Sequence, residues 1–117
     1  MGGASRFEEI LLKLAIFDEA LIEEMAGRGL VGESALGSKT AALLQIAVSV
    51  ATGSSQVCLQ WSTARALAAG ARKDEIADVL LAIAPVAGLG RVVSAAPGVA
   101  AALDYDIDAA LEAPDGY

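Results

Sequence analysis

Between Thr40 and Ala64 the chain carries no charged residue, and no other stretch does more to limit the fold. On length alone it could cross a bilayer, which takes about 20 apolar residues in a helix. Yet it contains Gln45, Ser49, Thr52, Gln60 and Ser62, and the Gly53-Ser54-Ser55 break divides it into two pieces too short to span. The reading that survives is a helical hairpin. Ser38 is placed to cap a helix through Thr52, which Gly53 stops, and Ser54 or Ser55 to cap a second helix that runs to Gly70.

The flanking sequence extends the helical pattern. Ser5-Arg6-Phe7-Glu8 reads as a capping box, followed by Phe7, Ile10, Leu11, Leu14 and Phe17 at helical spacing. Asp18 is placed to cap a further segment through Leu21, Ile22 and Met25, ended by Gly27 and Gly29, and GRGLVGESAL reads as a loop. Beyond Gly70, Asp74 and Glu75 favour a helix N-terminus, with Ile76, Val79, Leu80 and Ile83 as its apolar stripe. Pro85 is expected to open or kink the next helix, Pro97 to interrupt it, and a short last helix to follow Asp106. No repeat and no strand-length alternation occurs, so the expected class is all-α, one domain over residues 1–117.

Composition bears on partners. In 117 residues, 56% are apolar and mean hydropathy is +0.57, more apolar material than a chain of this size can readily hide alone. A homo-oligomer is therefore expected. The net charge of −7, with scattered basic residues, disfavours nucleic acid and anionic membrane surfaces. An N-terminal region with Glu8 and Glu9, and without a basic flank or cleavage site, predicts a cytosolic protein. With no histidine and one cysteine, Cys58, neither an internal disulfide nor a zinc site within one chain is expected. The run Asp104-Tyr105-Asp106-Ile107-Asp108 resembles the start of a calcium loop but has Ala109 where glycine is needed. Gly88-Leu89-Gly90 lacks the third glycine and the strand of a dinucleotide fingerprint. No cofactor is expected.

Counting by threes and fours puts Ser55, Cys58, Ser62 and Arg65 on one helix face. One reading is a reactive thiol beside a guanidinium that favours the thiolate. The other is a small buried side chain, with both serines bonded back to the preceding turn. Arg65 and Arg91 are the arginines within the apolar core helices, and arginine suits a carboxylate ligand. Gln45, Gln60 and Ser62 would add neutral contacts, and Trp61 a flat wall. The competing expectation is ion pairing of both arginines to acids such as Asp78 or Glu75, within or between subunits.

The run IAVSVATGSSQVCLQWSTARALAAGARKDEIADVLLAIAPVAGLGRVVSAA resembles the core of the carboxymuconolactone decarboxylase and alkylhydroperoxidase D-like family over about residues 39–103. Its most telling parts are AVSVATG, the Ala69-Gly70 pair followed by DEIADVL, and the apolar segment from Pro85. The resemblance implies a trimer or hexamer built from helical hairpins. It also implies, for the redox branch, a Cys-x-x-Cys pair, a histidine four residues later and a glutamate on the preceding helix. Aligned on Gly70, these positions hold Ser55, Cys58, Ser62 and Leu43. Aligned on AVSVATG, the glutamate position moves to Ala42, and Val57 and Trp61 take a cysteine and the histidine position. In neither register can the residues present close a disulfide or relay a proton near neutral pH. The decarboxylase branch, by resemblance, carries a histidine near Ser62. The expectation is a family scaffold of unassigned activity that binds a small anionic organic molecule and lacks dithiol peroxidase activity. A single-cysteine peroxidase using Cys58, a lactone decarboxylase without histidine, and a non-catalytic scaffold are the alternatives.

Overall fold

The computed structural model describes residues 5–17, 19, 20, 23 and 35–113. The chain divides into two units, Met1–Ala35 and Leu36–Tyr117. In the first, α1 spans Arg6–Ala15 and opens on the expected capping box. The Ser5 amide donates to Glu8 Oε1 at 3.0 Å and the Ser5 hydroxyl at 2.7 Å. These two bonds, the hydroxyl's first, hold the Glu8 carboxyl below the usual carboxylate range. Phe17 lies beyond the helix in a left-handed conformation (φ 56°), so the expected stripe ends at Leu14. The expected segment through Leu21, Ile22 and Met25, and the glycine-rich loop after it, fall largely outside the described residues.

In the second unit, α2 spans Gly37–Ala51, α3 Gln56–Ala68, α4 Lys73–Ala87, α5 Leu89–Ala102 and α6 Ile107–Glu112. No strand occurs among the described residues. The predicted hairpin is α2 and α3, broken at Gly53 (φ 72°), where the left-handed turn favours glycine. Of the two candidate caps it is Ser55 whose hydroxyl accepts from the Cys58 amide, at 3.2 Å. α2 begins at Gly37, one residue ahead of the expected cap.

The prolines act differently from expectation. Pro85 lies inside the last turn of α4 and Pro97 inside α5; the chain breaks instead at Gly88. Each proline removes one backbone donor and frees the carbonyl four residues earlier. Pro85 and Leu81 are both exposed, as are Pro97 and Val93, so those carbonyls sit on the watered side of their helices and the helix continues.

Four helices surround one core, in the ring order α2, α3, α5, α4. Ile46 and Val50 enter it from α2, Leu59 and Ala66 from α3, Ile76 from α4, and Ala95 and Val99 from α5. Its buried polar side chain, Thr63, donates to the Leu59 carbonyl at 2.7 Å and brings no unmet donor inside. Glu75 ties two helix starts together. Its carboxylate accepts from the Arg72 amide at 2.9 Å and from Lys39 Nζ at 3.1 Å, and these bonds, the amide's first, lower its pKa. Among the described residues no helix is long and apolar enough to cross a membrane.

Candidate functional site

The α2–α3 line of contact is polar on its outer side. Ser49 and Ser62 bring their hydroxyl oxygens to 3.5 Å. By helical register Gln45 flanks Ser49 on α2, while Cys58 and Arg65 flank Ser62 on α3, and Val48 and Trp61 form apolar shoulders beyond them. Cys58 is exposed in the single chain, so it is not packed inside the subunit as one reading expected. The serines do not act as that reading supposed either: Ser55 caps the helix and Ser62 faces Ser49 across the seam. Arg65 stacks its guanidinium carbon 5.0 Å from the centre of the Trp61 ring. Both side chains are exposed, so this contact is worth about 0.5–1 kcal/mol.

Arg91 occupies a separate place. It lines a cleft of about 230 Å³ with Gly53, Ser54, Gln56 and Ser94, at the α2–α3 turn and the start of α5. A side chain at position 53 would meet the end of the Arg91 side chain and displace it, and the positive φ there already favours glycine. Gln56 is fixed beside it: its amide Nε2 donates to the Ser94 carbonyl at 2.8 Å, and Gly98 leaves room for its carbonyl end. Within the chain the expected pairing of the arginines with Asp78 or Glu75 does not occur. Glu75 pairs with Lys39 and Arg72, and among the described residues neither Arg65 nor Arg91 has a carboxylate partner.

A sequence profile of the carboxymuconolactone decarboxylase family matches residues 19–102, more than half of the chain. The chain belongs to the carboxymuconolactone decarboxylase family. Comparison with curated proteins and with solved structures returns no match.

Of the residues singled out in this carboxymuconolactone decarboxylase family member, the structure brings together Ser55, Cys58, Ser62 and Arg65 along one flank of α3. Gln60 does not join them. It lies one turn past Gln56, on the opposite flank of α3 from Cys58. Arg65 and Arg91 do not share a cavity either: Gln56, which neighbours Arg91, is nine residues before Arg65, about 13 Å along the helix. Sequence reasoning missed Ser54, Gln56 and Ser94 as surroundings of Arg91. Only the pairing of α3 with α5 assembles them, and the local sequence of either helix carries no mark of it.

Proposed function

We propose that this carboxymuconolactone decarboxylase-like protein binds a small anionic organic molecule at Arg91, in a homo-oligomeric scaffold without dithiol peroxidase activity. The observation that carries this reading is a guanidinium with no acidic partner among the described residues, in a cleft that also holds a positioned amide and two serines. A carboxylate would take paired hydrogen bonds from such a group. Screening carboxylates and lactones by thermal shift tests it. At a hundred-fold excess over Kd, a true ligand should stabilise the wild type by about 2.7 kcal/mol. Arg91→Ala should abolish the shift and Arg65→Ala should keep it. No stabilisation by any compound, or an equal shift in Arg91→Ala, would sink the proposal.

A second reading has one observation in its favour: the Cys58 thiol is exposed in the first turn of α3, within reach of a peroxide. In a single-cysteine peroxidase the thiolate sulfur would attack the peroxide O–O bond, gaining one oxygen as sulfenic acid while the other leaves as alcohol or water. An external thiol would then reduce the sulfenic acid, forming a mixed disulfide and water, and a second thiol would free Cys58. Peroxide consumption with added thiol should be lost in Cys58→Ser; equal rates would end this reading.

A further inference from the structure

At the far end of the same helix bundle lies a pocket that neither reading uses. It is a groove of about 410 Å³ between the start of α4 and the end of α5, within the roughly 300–1,000 Å³ typical of small-molecule sites. Ala77 and Ala96 both line it, with side chains too short to fill the gap. Leu80 and Val99 form apolar walls deeper in, and Ile107 of α6 closes one end.

The mouth differs in character from the walls. Asp74 and Asp104 stand at the rim with Lys73, and among the described residues neither carboxylate has a cationic partner. An adjoining cleft of about 430 Å³, which shares Asp104, adds Asp106 and Asp108. Four carboxylates therefore surround this end of the bundle against one ammonium. A second copy of a chain with net charge −7 would meet repulsion at such a rim, and so would an anion. We infer that the α4–α5 groove binds a small organic cation, an ammonium on an apolar body, with the body between Ala77, Ala96 and Leu80 and the charge at Asp74 and Asp104. Asp104 lies about 20 Å beyond Arg91 along α5, so the charged end of this groove and the Arg91 guanidinium hold ligands of opposite charge at separate places.

Asp104 supplies a clean variant. It closes α5 in a left-handed conformation (φ 63°), its amide donating to the Ala101 carbonyl at 3.2 Å and that of Tyr105 to the Ala100 carbonyl at 2.9 Å. Asparagine is well tolerated in this helix-ending position, so Asp104→Asn should keep the fold while removing the charge.

The probe is 4-phenylbutylamine, with 4-phenylbutyrate as its anionic counterpart, each titrated into the full chain and followed by amide chemical shifts. The amine should move the signals of Ala77, Leu80, Ala96 and Ile107 and bind about tenfold more tightly than the acid. Asp104→Asn should weaken the amine about threefold at an unchanged or higher melting temperature. Ala77→Leu, at an exposed position, should block it by filling the groove, and Arg91→Ala should leave it intact. Equal or tighter binding of the acid would overturn the inference, as would shifts confined to other helices, no binding, or unchanged amine affinity in a folded Asp104→Asn.

Discussion

In the homo-oligomer proposed above, replacing Val48 and Trp61 together with glutamate should leave folded monomers, read as a fall in mass by sedimentation or light scattering at unchanged helical content. Both residues project from the α2–α3 hairpin away from the core, and Trp61 keeps 64% of its surface exposed in the single chain. Val57, Leu44 and Val48 are further exposed apolar side chains on the same two helices. An exposed tryptophan is a common hot spot of association. Burying a glutamate in its place costs several kcal/mol per ion, incurred twice in every subunit. The monomer itself should lose little, because substitutions at exposed positions usually change stability by less than about 0.5 kcal/mol. A double variant that keeps the wild-type mass would place the contact elsewhere. A wild type that is already monomeric would refute the homo-oligomer altogether.

How far the sequence revealed this architecture depended on whether the decisive interaction was local. Ser5 with Glu8, Ser55 with the Cys58 amide and Asp106 with the Ala109 amide are all contacts within three residues, and each helix start was legible, although Ser54 was as eligible a cap as Ser55. Gly53 was legible as a break because its turn needs a positive φ. Pro85 and Pro97 misled. Whether a proline ends a helix depends on what receives the carbonyl it frees, and that is settled by which side of the helix faces water. The same limit applied to the site. Helical counting put Ser55, Cys58, Ser62 and Arg65 on one flank of α3, but could not tell that this flank is open, and so could not choose between a buried and an exposed Cys58. Gln56 and Ser94 stand 38 residues apart, and their hydrogen bond beside Arg91 exists only because α3 packs on α5.

Two adjacent residues on α3 put this dependence on facing to the most direct test. Leu59→Ala should cost about 2–5 kcal/mol in chemical denaturation, whereas Cys58→Ser should cost less than about 0.5 kcal/mol. One step along a helix turns the side chain by about 100°, and here it carries the chain from solvent to the centre of the bundle. Leu59 retains only 2% of its surface and packs with Ile46, Val50 and Val99, drawn from α2 and α5. Shortening it leaves a cavity that three helices would have to close together. Collapse is hindered because the Leu59 carbonyl also holds the buried Thr63 hydroxyl, which cannot shift without losing its acceptor. Against the roughly 5–15 kcal/mol that holds a typical domain together, a loss of this size moves the unfolding midpoint visibly or unfolds the chain. If Leu59→Ala proved as mild as Cys58→Ser, the assigned rotation of α3 would be wrong, and the exposed thiol, the polar seam and the placement of Gln56 beside Arg91 would fall with it.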